Sequence, residues 1–356
     1  MDSTIEFLIG SYSQDLGESS ARGEGIYSAR IDLQNGTLSD LDCVARCVNP
    51  SYLAWGPGRN RLYATRETHA DDGPAIVSFD RKDTQQLQLR QSVLLQGELP
   101  CHVAIDDSGR ILTSAQYGSG DIAVLSLGEG GEMIEPAQMI RHSGKGVNRQ
   151  RQEGPHAHYA AALSTQGVLL AVDLGLDSVF AYPVDLKNHH VSERPAFSFQ
   201  TTGGAGPRHL ATLPGSDTAY LYCELNDEIY QLTLNEVGFE CIGIMRAFED
   251  TRSSGSAGAA IKIAPDQRHL YVSGRTQSQI AAFEIDQDNR QLKALDSVGT
   301  GGVCPRDFSV APDGSFLVVA NEKSNNITSL RRDRASGLLE PTGSSIEVGS
   351  PVCIVF

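Results

Sequence analysis

The sequence predicts an all-β chain, a seven-bladed β-propeller with four antiparallel strands per blade, and three observations predict it. A period of roughly 50 residues, with several short apolar runs per unit, recurs along the whole length. Each period opens on a similar segment: Pro50-Ser51-Tyr52-Leu53-Ala54-Trp55, Pro100-Cys101-His102-Val103-Ala104-Ile105, Pro207-Arg208-His209-Leu210-Ala211-Thr212 and Pro305-Arg306-Asp307-Phe308-Ser309-Val310. The tail Pro351-Val352-Cys353-Ile354-Val355-Phe356 repeats this opening and stops, whereas the N-terminus starts at what is elsewhere the second strand, Phe7-Leu8-Ile9-Gly10-Ser11-Tyr12. A C-terminal strand that completes the first blade would join the two ends and remove an open sheet edge. Two tandem β-sandwiches would suit the length, but neither the single period nor the matching ends.

The elements follow in order within each unit. After the opening strand comes a turn, at Pro57-Gly58, Ser108-Gly109, Gln166-Gly167, Gly215-Ser216, Pro265-Asp266 and Pro312-Asp313. Such residues between apolar runs mark hairpins, because they accept backbone angles that most side chains resist. The second strand is the most apolar: residues 61–64, 111–114, 169–172, 220–223, 270–273 and 316–319. A third is seen in residues 76–80, 179–182 and 280–285. Turns such as Asn35-Gly36 and Ser336-Gly337 then lead to a more polar fourth strand.

The chain has 356 residues, yet no linker-like stretch or charge run interrupts the period, so residues 1–356 are expected to form one domain. The start lacks a basic segment followed by an apolar core, and no stretch approaches the ~18 consecutive apolar residues of a membrane span. A cytoplasmic protein with no membrane partner is expected. Seven cysteines, without a CxxC pair, read as reduced residues rather than as a disulfide or zinc framework. Cys304 stands out because it lies beside a candidate site residue. The formal net charge of -15 repels phosphodiester backbones and argues against nucleic acid as a partner. A small anionic substrate then requires that basic residues gather in one place.

In a propeller blade the start of the first strand and the end of the antiparallel second strand lie on the same face. The starts supply His102, His156, His158, Arg208, His209, Arg306 and Asp307, and the ends supply Tyr12, Arg66, Glu67, Gln116, Tyr117, Asp173, Glu224, Arg275, Asn321 and Glu322. Arg66 and Asp173 also admit a structural reading, as ion pairs or caps, and His102 and His209 as histidines satisfied by backbone. Arg208, Arg275 and Arg306 are harder to explain that way, because three converging cations repel one another without an anion. His156-Ala157-His158 would point two rings to one side of a strand, but no third ligand or Asp/Cys cluster accompanies it, so no metal is expected. Asp106-Asp107-Ser108-Gly109 reads as a turn. There is no phosphate-binding glycine loop and no G-x-S-x-G elbow.

With these residues the chain resembles the seven-bladed lactonase family, which includes cycloisomerase-type 6-phosphogluconolactonases and a fungal carboxymuconate lactonizing enzyme. The resemblance spans essentially the whole chain. It is most specific at Gly154-Pro155-His156-Ala157-His158 with Asp173-Leu174-Gly175, at Gly206-Pro207-Arg208-His209 with Glu224-Leu225-Asn226, at Arg275, and at Pro305-Arg306-Asp307 with Ala320-Asn321-Glu322. It implies a catalytic set of His158, Arg208, Glu224 and Arg275. Two departures stand out. One residue more than is usual, within Ala160 to Ala162, follows His158, which predicts a bulge there and leaves His156 as an alternative. Glu322 stands where glutamine is common and adds negative charge beside Arg306.

What the resemblance implies is a choice between hydrolysing a sugar lactone and closing or opening a muconolactone; the leading expectation is a lactone hydrolase acting on 6-phosphoglucono-1,5-lactone, without cofactor or metal. Glu224 or His158 would activate water, Arg208 and Arg275 would stabilise the oxyanion, and Arg306 would hold the substrate anion. His156, Tyr117, Asp173 and Glu322 complete the expected binding residues. The alternatives are cyclisation of a carboxymuconate at the same residues, and a non-catalytic propeller that binds a partner. The low aromatic content of 6% favours a small molecule over a protein partner. The oligomeric state is not readable.

Overall fold

A computed structural model of the chain describes residues 3–16, 20–81, 86–248 and 257–356. The fold is all-β, a seven-bladed propeller whose strands form seven antiparallel sheets. In six sheets the strand order is a simple four-stranded meander, one of them completed by the C-terminal strand. In the sheet that begins at Ala157–Leu163 two short strands, His190–Val191 and Phe197–Gln200, both pair with Ser178–Asp185 and share the outer position.

Burial explains which runs were most apolar in the sequence. The second strands Ile111–Gln116, Thr218–Cys223, His269–Gly274 and Phe316–Asn321 are buried at every position. Both of their faces pack on neighbours, so they need no polar alternation. Outer strands such as Leu292–Gly299 are mostly exposed and correspondingly polar. One predicted opening is shorter than expected: the strand of the second blade is only Leu53–Trp55. The Thr65 hydroxyl takes the Tyr52 N–H at 3.0 Å, so a side chain replaces the ladder bond that would have extended the strand.

The chain packs as two compact units, one made of Met1–Arg46 with His209–Phe356 and the other of Cys47–Arg208. In the first unit the C-terminal strand Pro351–Val355 pairs antiparallel with Thr4–Ser11, in the register Leu8↔Val355, Ile9↔Ile354 and Gly10↔Cys353. This is the predicted closure of the first blade. Ile354 and Phe356 join Phe7, Ile9, Phe316 and Val318 in one buried cluster. In the second unit, Tyr63, Val103, Leu112, Leu125 and Met133 share one core, and Ile122, Ala160, Leu169 and Tyr182 share another.

Tyrosines on second strands tie successive blades together. The Tyr220 hydroxyl donates to the Arg290 carbonyl at 2.8 Å, the Tyr271 hydroxyl to the Gly337 carbonyl at 2.8 Å, and in the other unit Tyr63 donates to Gly131. The Tyr271 junction is the most elaborate. Burial pushes that phenol up to about 12, so it stays a donor, and its oxygen also accepts from Arg332 Nε at 2.7 Å. Arg332, only 3% exposed, further reaches Asp266 at 2.6 Å, His269 Nδ1 at 2.7 Å and the Gly314 carbonyl at 3.0 Å. Gly337 has φ of 76°, and a Cβ there would lie 2.1 Å from the His269 ring, which is why the Ser336-Gly337 turn needs glycine. Tyr271→Phe strands a buried carbonyl and part of a buried guanidinium. It is expected to cost about 1–3 kcal/mol, read as a lower melting temperature with turnover unchanged.

Candidate functional site

The candidate residues occupy two recurring positions set by the backbone. The first is a β-bulge in the opening strand, where one extra residue is squeezed out of the ladder. The pairing skips Cys101 between Pro100↔Gln116 and His102↔Ala115, His158 between Ala157↔Asp173 and Tyr159↔Val172, and Arg306 between Pro305↔Asn321 and Asp307↔Ala320. The closing strand does the same at Val352. Arg208, buried at 3% exposure, follows Pro207 as Arg306 follows Pro305. The bulge predicted at His158 is therefore present, but its equivalents arise without extra alanines. It belongs to the repeat and not to that insertion.

The second position lies just past the second strand, where Tyr12, Glu67, Tyr117, Leu174, Glu224, Arg275 and Glu322 stand. Backbone bonds lock it. The N–H groups of Tyr12, Glu67, Tyr117 and Glu322 donate to the carbonyls of Ser350, Asn49, Leu99 and Cys304 at 2.8 to 3.1 Å. Those four acceptors all have left-handed φ, between 40° and 64°, and each precedes a proline, which starts the next strand at Pro100, Pro305 and Pro351. A left-handed residue turns its carbonyl toward the neighbouring hairpin end, and in the fifth blade Gly206 fills this place at 61°.

In the first unit these positions bring five candidate groups together with Cys304. Arg275 Nη2 lies 2.8 Å from Glu224 Oε2, and the same guanidinium donates to the Ala257 and Gly258 carbonyls at 3.3 and 3.2 Å. Arg306 Nη2 donates to the Tyr12 hydroxyl at 2.7 Å, with the guanidinium 5.2 Å from the Tyr12 ring centre, and Nη1 lies 3.7 Å from Glu322 Oε2. The Cys304 thiol is 3.8 Å from the same Glu322 oxygen. Burial pushes that thiol up, Glu322 adds to the shift, and Arg275 and Arg306 oppose it. Each glutamate is nearly covered, at 4% and 8%, and each arginine is partly exposed, at 17% and 18%. Arg275 and Arg306 thus need no external anion to coexist, because each is neutralised by a glutamate of the chain. Asp307 is occupied by the Ile354 N–H at 2.9 Å and by Lys262 at 3.6 Å, which ties the closing strand to the bulge beside it.

In the second unit Tyr117 is the centre. Its ring stacks on His156 at 4.6 Å and meets His158 edge-on at 5.5 Å, while its hydroxyl accepts from Arg151 at 3.2 Å. His156 Nδ1 faces the Tyr117 carbonyl at 2.8 Å, Nε2 faces Glu153 at 3.1 Å, and His158 Nδ1 lies 3.6 Å from the Cys101 thiol. Asp173 is fully buried. It accepts from the His156 and Leu176 N–H groups at 2.8 and 3.0 Å and faces His142 Nδ1 at 2.6 Å, with Tyr182 donating to the far side of that ring at 3.0 Å. Its part in any ligand site runs through the His156 backbone that it holds. Gly175 permits this approach, since a Cβ there would lie 2.0 Å from the Gly154 carbonyl.

Other candidates are structural. His102 accepts from Ala160 N–H and packs between the Tyr52 and Tyr159 rings, Arg66 donates to the Gly73 carbonyl at 2.6 Å, and Asp106 caps its own turn. Sequence reasoning missed Tyr12 as the holder of Arg306 and Arg151 as the contact of Tyr117. Tyr12 carried a signal, its place at a second-strand end. Arg151 carried another, a run of basic residues without acids.

The sequence pattern of the family described as Lactonase, 7-bladed beta-propeller matches residues 6–356. A Bacillus subtilis protein named 6-phosphogluconolactonase is 35% identical over 335 residues, covering 94% of each chain. A protein of the same name from Formosa agariphila is 28% identical, covering 89% of this chain and 91% of its own. Among solved structures, a Pseudomonas aeruginosa periplasmic gluconolactonase superposes with a TM-score of 0.89 at 27% identity, covering 99% of both chains.

Proposed function

Because the chain belongs to the seven-bladed β-propeller lactonase family, we propose that it is a lactone hydrolase that opens 6-phosphoglucono-1,5-lactone. The observation that carries this reading is the arrangement of the first unit, where two partly exposed guanidinium groups are backed by covered carboxylates. Hydrolysis of a lactone turns its carbonyl oxygen into an oxyanion as water adds. Guanidinium N–H groups already fixed in place stabilise that charge without reorganising. Arg275 is held by Glu224 and two carbonyls, and Arg306 by Tyr12 and Glu322, so both are fixed.

The Glu224 carboxylate takes the proton of the attacking water as general base, Arg275 stabilises the oxyanion, and Arg306 holds the substrate anion. His158 enters through its place at a bulge of the repeat, Arg208 through its place after Pro207 in an opening strand, and His156 and Tyr117 through their packing on one another; each is tested singly. The ring oxygen leaves as a hydroxyl that needs a proton, which the base returns. No helix among the described residues is long and apolar enough to cross a membrane. All seven cysteines are free, which suits a reducing cytoplasm.

The test is turnover of 6-phosphoglucono-1,5-lactone by the purified protein, with spontaneous hydrolysis subtracted at every pH. No rate above that background sinks the reading. A binding measurement supports it independently. Phosphate at ten times its dissociation constant should stabilise the native state by about 1.4 kcal/mol, a rise in melting temperature that Arg306→Ala abolishes. An equal rise in that variant places the anion elsewhere.

A further inference from the structure

We propose that Glu322 is a specificity-determining residue: by neutralising Arg306 it holds down the preference for phosphorylated lactones, so that the site also takes neutral sugar lactones as substrates. The inference rests on the lactonase reading above and names the substrate class of the same site.

The charges of the first unit's site cancel in pairs. Arg275 lies 2.8 Å from Glu224, and Arg306 lies 3.7 Å from Glu322. The adjoining Asp307 and Lys262, 3.6 Å apart, cancel as well. Lys323, next along the chain, is exposed, where water and salt screen its charge. The formal net charge of -15 supplies no positive background field. A phosphorylated substrate therefore meets little net attraction here. A neutral lactone loses nothing by this, because its oxyanion forms only during the reaction, at guanidinium groups already fixed in place.

Glu322 acts on the charge of Arg306 and not on its donors. Its carboxylate, at 3.7 Å, stands beyond hydrogen-bond reach, whereas the Tyr12 hydroxyl takes Arg306 Nη2 at 2.7 Å and fixes the guanidinium. The carboxylate is itself held. The Glu322 N–H donates to the Cys304 carbonyl at 3.0 Å, and the Cys304 thiol, kept protonated by burial, lies 3.8 Å from the same Oε2 that faces Arg306. Cover also matters, because a charge pair shielded from solvent is screened less than one at the surface. Glu224 stands in the same relation to Arg275, but it is the proposed base, so removing its charge stops the chemistry. Glu322 has no part in proton transfer, and its charge can be varied alone.

The experiment compares wild type with Glu322→Gln, which keeps the shape and removes the charge, on 6-phosphoglucono-1,5-lactone and on glucono-1,5-lactone across ionic strength. Spontaneous hydrolysis is subtracted throughout. The ratio of kcat/KM, phosphorylated over neutral, should rise about tenfold in the variant at low salt, and the gain should shrink as salt is added. Inorganic phosphate, followed by calorimetry, should bind the variant about tenfold more tightly than wild type. A disturbed Arg306 cannot produce such a gain, so the direction separates lost charge from lost structure. An unchanged or lower ratio, or phosphate bound no more tightly, would overturn the proposal. Wild type alone, which needs no variant to fold, should show a ratio below about tenfold, and a larger preference would overturn the proposal as well. Phosphate bound more tightly by the variant of a protein without turnover keeps the charge effect of Glu322 and removes the lactonase. Turnover with unaltered phosphate binding and ratio keeps the lactonase and removes the role of Glu322.

Discussion

Glu224→Gln is expected to lower kcat on the lactone by about 100-fold or more, with KM unchanged or reduced. The amide keeps the shape and can still accept from Arg275, which now lies 2.8 Å from a carboxylate oxygen, so the protein stays folded. It cannot take a proton from water. It also leaves Arg275 without its neutralising charge, which strengthens attraction for an anionic substrate. The two effects move kcat and KM in ways that a scaffolding role would not. If KM rises while kcat holds, Glu224 merely positions Arg275 and the base is another group, with His158→Asn the next variant to measure. Arg275→Lys should lower kcat as well, because one ammonium cannot reach Glu224 and the two carbonyls in the fork geometry that the guanidinium uses.

Removing residues 352–356 is expected to leave an insoluble or severely destabilised protein. The truncation strips the partner from Leu8, Ile9 and Gly10 and exposes a sheet edge. It also removes Val352, Ile354 and Phe356, all buried, with Phe356 packed 5.6 Å from the Phe7 ring. At about 1.5–3 kcal/mol for each such side chain, the loss rivals the whole stability of a typical domain, about 5–15 kcal/mol. Thermal melting and solubility of the truncated chain check this. A melting temperature within a degree or two of the full chain would show that the closing strand carries little of the fold. The Ile354 N–H bond to Asp307, next to Arg306, adds that any soluble truncation should also bind phosphate more weakly.

Much of the architecture was readable because it repeats. Proline-led openings, turn residues and fully apolar second strands recur at one spacing, and the unmatched ends complement each other. What did not repeat was harder to read. The arginines looked like an unbalanced cluster because charge pairing depends on which carboxylates reach them in space, and Glu224 and Glu322 come from different blades of the first unit. Asp173 looked like a ligand-facing acid, yet its oxygens are filled by N–H groups of residues 156 and 176 and by His142. Arg151 escaped because its loop lies outside the periodic positions, where comparison of units says nothing. Leu53–Trp55 was overextended for a local reason, a threonine hydroxyl competing for a ladder donor.

The bulges separate two jobs that most strand residues must do at once. A residue in register contributes its backbone to the ladder and its side chain to a packed face, so changing it disturbs both. Cys101, His158, Arg306 and Val352 sit outside the one-to-one pairing. Sulfur, imidazole, guanidinium and isopropyl groups occupy these slots on essentially one backbone. Mutational tolerance should therefore be asymmetric along each opening strand: the slot admits unlike chemistries while its in-register neighbours, such as Ala157 and Phe308, admit few. For a chain that must keep many short strands aligned, this lets specificity drift by single substitutions without a matching change in the scaffold.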